Sequence, residues 1–159
     1  MAAAGVGLIF AAPLLAAGGH GWAAGVIYHA FAGLCHQQAG RSFALEGHAL
    51  AVCARCTGIY AGFAACTALY PLARGLRGAD APARRWLVLA LLPTAADFSL
   101  NFAGLWANTH ASRALTGAVA GAAAAFFALP GLIELGQSLG RRGRRESFAG
   151  GSEAGGLRV

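Results

Sequence analysis

Long apolar stretches separated by short polar segments dominate this chain of 159 residues. Four of them, residues 6–34, 50–72, 85–106 and 113–139, approach or exceed the roughly 20 apolar residues that a membrane-crossing helix needs. Lipid offers no hydrogen bonds to an open backbone, so such stretches are expected to be helical. The pattern therefore predicts an all-α, polytopic membrane bundle of four transmembrane helices over residues 1–139.

The first stretch is longer than a bilayer requires, and Pro13 and the Gly18-Gly19 pair are its expected kink points. Residues 18–21 (Gly-Gly-His-Gly) could also break the stretch in two, which would add a short half-helix at the N-terminus. The sequence leaves both versions open.

Composition supports a membrane protein. Hydrophobic residues make up 57% of the chain and charged residues only 11%, whereas a soluble domain has about 25% charged residues. All 12 basic residues are arginines, and the net charge is +6. These arginines flank apolar stretches, which excludes nucleic acid as a partner and marks them as topology signals.

The arginines also predict an orientation. Nine of the 12 lie in residues 74–85 or in the tail, residues 140–159. With four spans both segments fall on one side, which the positive-inside rule makes cytoplasmic. The chain is then a plasma membrane protein with both termini inside. Its Gly/Arg-rich tail is expected to be a disordered cytoplasmic segment.

The thiols lie where apolar stretches end. Cys35-His36 follows the first stretch, and Cys53-x-x-Cys56 begins the second, so all are expected at one outer interface. Three thiols with one imidazole form an established zinc ligand set. Cys35, His36, Cys53 and Cys56 are therefore the candidate metal ligands and Zn²⁺ the candidate cofactor. His48 is a further candidate ligand.

Two other interpretations of the thiols stay open. Cys53 and Cys56, close to Arg55, could have lowered pKa values and cycle with a disulfide. Alternatively, a disulfide could staple the outer loop in an oxidising exterior. Cys66 lies about three turns deeper in the second stretch and is expected to pack as a small apolar residue.

Asp97 lies inside the third apolar stretch, where a carboxylate costs roughly 2.5–3.5 kcal/mol on insertion scales. It is expected to face the protein interior and to pair with Arg55 or Arg113. One interpretation makes these three residues catalytic, with Asp97 as general base for a water on zinc or in proton handling. The other makes Asp97 a polar clamp between helices.

Two small-residue motifs, Gly58-x-x-x-Gly62 and Gly117-x-x-x-Gly121, predict close helix packing and offer faces for a homo-oligomer. Membrane lipid is the other expected partner. Arg41 and Ser42 could bind an anion or a lipid headgroup, or Arg41 could pair with Glu46.

Five short motifs resemble one family. They are Cys-His-Gln at 35–37, Arg-Ser-Phe at 41–43, Val-Cys-Ala-Arg-Cys-Thr-Gly-Ile-Tyr at 52–60, Pro-x-x-x-Asp at 93–97 and Arg-x-x-Thr-Gly at 113–117. Together the chain resembles the small bacterial and archaeal membrane proteins called domain of unknown function 2085, over about residues 13–125. The chain departs from the pattern at Ala39, Phe98 and His110. The resemblance implies a multi-pass membrane protein and names no reaction.

The sequence thus favours an integral membrane protein with an outward-facing Cys/His metal site. The alternatives are a thiol–disulfide redox protein and a non-enzymatic transporter or accessory subunit with a structural disulfide. Whether the protein is an enzyme stays open, because the chain has no His-Glu-x-x-His, P-loop or Gly-x-Ser-x-Gly motif.

Overall fold

The computed structural model describes residues 2–74 and 83–153, with side chains for residues 2–72 and 83–138. The described chain is mostly helical, with one small antiparallel sheet. In chain order its elements are α1 (Ala2–Ala17), α2 (Gly21–Ala32), a 3₁₀ turn (Ala39–Arg41), β1 (Ala44–Leu45), β2 (His48–Ala49), α3 (Ala54–Arg74), α4 (Arg84–Phe102) and α5 (His110–Glu153).

The first apolar stretch is broken in two, as the second version of the sequence prediction had it. α1 ends at Ala17, and α2 begins at Gly21. Gly19 has φ +79°, and the His20 amide donates to the Leu15 carbonyl at 2.8 Å. A left-handed glycine with this hydrogen bond is a common helix stop, because glycine has no Cβ to clash. Pro13 lies inside α1 and does not end it.

The prediction of four transmembrane helices is wrong. Within the described residues, only His110–Ser138, the first 29 residues of α5, is long and apolar enough to cross a membrane. α1 and α2 have 16 and 12 residues, which is too short. α3 and α4 have 21 and 19 residues, but charged and small polar side chains interrupt their described apolar runs. The predicted orientation, with both termini in the cytoplasm and the thiols outside, assumed four spans and is therefore no longer supported by that count.

The small-residue motifs bring α3 and α5 together. A Cβ added at Gly58 or Gly62 would overlap the backbone of α5 at Ala114 or Ala118. On the other helix, Gly117 and Gly121 meet the backbone of α3 in the same way. The predicted close helix packing is confirmed. Association of two chains through the same faces would require these helices to separate, and oligomer formation stays a prediction.

The main buried cluster lies where α1 and α2 meet the segment before α3. Ile9 and Ala12 of α1 form one buried cluster with Phe31 of α2, Cys35 and residues 50–52. The Tyr28 hydroxyl of α2 donates to the Ala49 carbonyl at 2.6 Å. The segment that carries the first thiol is therefore part of the hydrophobic core.

The two short strands form a hairpin that the all-α prediction did not include. Ala44 pairs with Ala49, and Leu45 pairs with His48. Glu46 and Gly47 have φ values of +51° and +76°, the left-handed geometry of tight hairpin turns. Beyond the strands, the Leu50 amide donates to the Phe43 carbonyl at 2.8 Å. The hairpin thus returns the chain to the start of α3.

Some predictions fall outside the described part of the chain. Residues 75–82, with Arg77 and Asp80, are not described, and neither are residues 154–159. α5 continues to Glu153, beyond the predicted helix end at residue 139. The predicted boundary at residue 139 between the helical bundle and the tail, and the predicted disorder of the tail, stay predictions.

Candidate metal centre

Three thiols come together from two segments of the chain. Cys35 follows α2, and Cys53 and Cys56 lie at the start of α3. Their three sulfur atoms all lie within 4.8 Å of one another. Cys35 is only 7% exposed, and its sulfur accepts a hydrogen bond from the Cys53 amide at 3.2 Å. The predicted convergence of these three cysteines is confirmed.

The spacing of the sulfurs is close to that of a metal site. A tetrahedral ion with Zn–S bonds of about 2.3 Å holds its sulfurs about 3.8 Å apart. The sulfurs of a disulfide are only about 2 Å apart. All four cysteines in the described chain are free thiols. The cluster is therefore close enough to hold a metal ion.

The histidines lie apart from the sulfurs. A cavity of about 380 Å³ opens beside the thiols, and His36 is an exposed residue on its wall. The imidazole of His36 is outside the group of atoms within 4.8 Å, so its role as fourth ligand stays a prediction. His48 is exposed in β2, opposite Leu45, and is likewise outside that group.

Gln37 fixes the loop that carries Cys35, a role that the sequence analysis missed. Its side-chain amide donates to the Tyr28 carbonyl at 2.6 Å and to the Ala51 carbonyl at 2.9 Å. The backbone of Gln37 has φ +49°, a conformation that non-glycine residues rarely adopt. One side chain thus joins the end of α2 to the segment before α3. The only sequence signal was an amide residue next to Cys-His.

The thiols of Cys53 and Cys56 interact and shift each other's pKa in opposite directions. The hydrogen bond from the Cys56 thiol lowers the pKa of Cys53 to about 5 and raises the pKa of Cys56. A negative charge at Cys53 is stabilised by its neighbours, since the thiol of Cys35 and the amide of Arg55 also act on this sulfur. The sequence analysis attributed lowered pKa values in both thiols to the charge of Arg55. Instead only Cys53 is lowered, chiefly by the other thiol.

Asp97 pairs with Arg55, which is one of the two partners that the sequence predicted. The Arg55 guanidinium donates to Asp97 Oδ2, and Asn108 Nδ2 donates to the same oxygen at 2.8 Å. Burial raises the pKa of Asp97, but the hydrogen bonds from Asn108 and Arg55 outweigh burial and leave the pKa below its usual value. Arg113, the other predicted partner, donates to Asn108 Oδ1 at 3.0 and 2.7 Å. These side chains connect α3, α4 and the start of α5.

A second, smaller cavity of about 150 Å³ lies between the thiols and this polar network. Cys53 and Cys56 line both cavities. The walls of the smaller one also include the following polar side chains: Arg41, Arg55, Asn101, Asn108 and Arg113. The candidate catalytic residues Arg55 and Arg113 therefore lie beside the thiols. Asp97 does not line this cavity and contacts it through Arg55 and Asn108.

Two other predicted residues have clear positions. Cys66 lines a separate apolar cavity of about 470 Å³ with Tyr70 and Phe126, apart from the three thiols, and its burial raises its pKa. Cys66 therefore lies outside the thiol cluster, and its packing role stays a prediction. Arg41 makes no ion pair with Glu46 among the described residues.

The fold and the site define a mostly helical protein with one candidate membrane span and a cluster of three thiols. Residues 35–127 match the family model described as predicted membrane protein DUF2085, and the chain belongs to this family. The matched range contains the three thiols, Asp97 and Arg113, so the resemblance seen in the sequence is confirmed.

One curated relative is the uncharacterised protein MJ1492 of Methanocaldococcus jannaschii. It is 37% identical over 109 residues, which cover 69% of this chain and 70% of the relative. The search of solved structures found no match. The comparisons thus show a predicted membrane protein and name no reaction.

Proposed function

We propose that this protein is a membrane-bound metal-binding protein in which Cys35, Cys53 and Cys56 hold a zinc ion. The observation that carries the proposal is the approach of three sulfurs to within 4.8 Å from two separate segments. Thiolates are soft ligands that favour zinc, copper(I) and iron–sulfur centres. Among these, zinc is the ion that three cysteines and one histidine commonly hold.

The fourth ligand in this proposal is His36. It is adjacent to Cys35 in sequence, is exposed, and lines the cavity onto which the thiols open. A rotation of its side chain into that cavity would complete a tetrahedral set. Arg55 and Asn108 both donate hydrogen bonds to Asp97. Because the carboxylate is occupied in this way, its role in this proposal is to position Arg55 and not to abstract a proton.

The proposed site lies on the outer side of the membrane. Four arginines lie within residues 141–145, just after the candidate span His110–Ser138, and the positive-inside rule places that end in the cytoplasm. The contact of Gly58 with Ala114 sets the first turns of α3 beside the start of α5, at the opposite end of the span. The thiols at the start of α3 are then outside.

Metal analysis of the protein purified in detergent under anaerobic conditions tests the site. We expect about one zinc per chain, and less than a tenth of that in Cys53→Ser and Cys56→Ser. Cys66→Ser is the matched control, because it removes a thiol from the same helix outside the cluster, and it should keep the zinc. Metal-free protein with intact thiols, or equal loss in the control, would overturn the proposal.

A thiol–disulfide function is the second candidate, since Cys53 and Cys56 interact directly and both are partly exposed beside a cavity. Thiol counting by mass spectrometry separates the two functions. Reversible loss of two thiols assigned to Cys53 and Cys56, in protein that carries no metal, would favour redox chemistry.

The side of the membrane is tested independently. Leu34 lines the larger cavity and is 70% exposed. A Leu34→Cys variant should react with a membrane-impermeant thiol reagent in intact cells, above the level of the unmodified chain. Labelling only after cell lysis would place the site inside.

A further inference from the structure

Three arginines line the smaller cavity, and carboxylates do not balance all of their positive charge. Arg41 comes from the loop after α2, Arg55 from α3 and Arg113 from α5, and all three line the same space of about 150 Å³. The one ion pair among the described residues joins Arg55 to Asp97. Two arginines of this cleft therefore have no carboxylate partner in the described part of the chain.

Arg113 is oriented without being neutralised. Its guanidinium donates twice to the side-chain oxygen of Asn108, which is an uncharged amide. The other amide end of Asn108 is held by Asp97, so the position of the guanidinium is fixed through α4. A guanidinium held by a neutral acceptor keeps its full charge and its remaining donors for another partner.

The other two arginines also have donors to spare. Arg55 Nε is buried and has no hydrogen-bond partner, although the same guanidinium pairs with Asp97. Arg41 is exposed, and its side chain has no hydrogen bond or ion pair with any described residue. The guanidinium groups of Arg41 and Arg113 therefore offer donors to a ligand in the cavity.

We propose that this cleft binds a phosphate-type oxyanion. Arginine binds phosphate through paired, charge-assisted hydrogen bonds, and three guanidinium groups converge here. The space is also adequate, because about 150 Å³ is many times the roughly 10–15 Å³ that one water needs in a cavity, and phosphate has only five non-hydrogen atoms. The ligand is either free phosphate or the phosphate of a lipid headgroup.

This inference goes beyond metal binding and does not depend on it. A competing explanation is that the arginines only balance the negative charge of the thiol cluster. In that case Arg41→Gln and Arg113→Gln would weaken zinc binding, and phosphate would show no saturable binding.

The test measures equilibrium binding of inorganic phosphate to the purified full-length protein. We expect saturable binding that weakens about tenfold or more in Arg113→Gln, because a charge-assisted pair is lost. Arg41→Gln should also weaken binding, and its Tm should be unchanged because Arg41 has no described partner to lose. Arg84→Gln, at the far end of α4, is the control and should bind as the unmodified protein does.

A second arm distinguishes the source of the phosphate. Protein in phosphatidylglycerol nanodiscs should bind less inorganic phosphate than protein in a detergent without phosphorus, both at high salt, if a lipid headgroup occupies the cleft. Equal binding in both assigns the cleft to free phosphate. Either result supports the proposal, whereas no saturable phosphate binding in the detergent, or equal weakening in Arg84→Gln, overturns it.

The Cys53→Ser/Cys56→Ser double variant separates this inference from the metal proposal. Zinc content and phosphate binding are measured on the same sample. Phosphate binding that persists without zinc supports the arginine cleft. Phosphate binding that disappears with the zinc assigns the anion to the metal and overturns the cleft.

Discussion

The guanidinium of Arg55 donates a hydrogen bond to the carboxylate of Asp97 and so joins the first turn of α3 to α4. Cys56, the next residue of α3, belongs to the thiol cluster. Because a buried carboxylate needs a partner, this ion pair also fixes the end of the helix that carries two of the three sulfurs. Folding and site geometry are therefore linked at this contact.

Removing the Asp97 charge should destabilise the protein. The side chains of Arg55 and Asp97 are 21% and 8% exposed, so Asp97→Asn leaves a guanidinium largely without its counter-charge. We expect a loss of about 3 kcal/mol in the free energy of unfolding, measured by denaturant titration in detergent. Arg55→Gln and the double variant complete a double-mutant cycle. A coupling energy near zero would show that the pair does not stabilise the fold.

Stability should depend on pH through the same carboxyl. The pKa of Asp97 is lower in the folded protein than its usual value, so the unfolded chain takes up a proton first as the pH falls. Its stabilisation is complete well above the unfolded pKa of about 3.9 and is lost as the pH falls through the folded pKa. The Tm gap between the unmodified protein and Asp97→Asn should be constant from pH 8 to about pH 5, then shrink. A gap that widens in acid contradicts this.

The glycine contacts between α3 and α5 should tolerate no side chain. Gly62→Ala places a Cβ against the Ala118 backbone, which has no flexible end that can move away. We expect a loss of about 3 kcal/mol in unfolding free energy, at the upper end of overpacking effects. Gly131→Ala in α5 is the control, since a Cβ there meets nothing within 4 Å. That control should be neutral or more stable by up to about 1 kcal/mol.

Gln37 should control metal affinity without touching the metal. Gln37→Ala removes two hydrogen bonds to the Tyr28 and Ala51 carbonyls, and we expect about tenfold weaker zinc binding in competition with a chelator. Gln37→Gly also removes them but relieves the left-handed backbone. Because glutamine and alanine both carry a Cβ, the difference between the unmodified protein and Gln37→Ala reports the hydrogen bonds, and any gain of Gln37→Gly over Gln37→Ala reports the backbone. Unchanged zinc binding in Gln37→Ala would contradict this role of Gln37.

The convergence of the thiols could be predicted because it depends on local signals. Cys53 and Cys56 are three residues apart and therefore share a side at the start of α3, and Cys35 follows closely on the end of α2, which must pack nearby. The hydrogen bonds of Gln37 could not be predicted in the same way, because they reach carbonyl groups 9 and 14 residues away and any residue offers a carbonyl. The hairpin at Glu46-Gly47 is local, but its strands have only two residues each, too few to show an alternating pattern.

The number of membrane spans was overestimated for a related reason. Hydropathy counts alanine and glycine as apolar wherever they occur, but in α3 they mark a surface that contacts another helix. Arg55 and Asp97 further reduce the apolar character of α3 and α4, although each charge has its partner in the other helix. Composition alone does not separate helix-facing from lipid-facing positions.

The backbone-to-backbone contact of α3 with α5 has a consequence for motion. Gly58 and Gly62 match Ala114 and Ala118 one helical turn at a time, so neither helix can slide or rotate by a few degrees without collision. Cys56 and Arg113, which those helices carry, therefore keep a constant separation. A change in the distance between the thiols of α3 and Cys35 would therefore require the loop after α2 to shift, and the two hydrogen bonds of Gln37 oppose that shift.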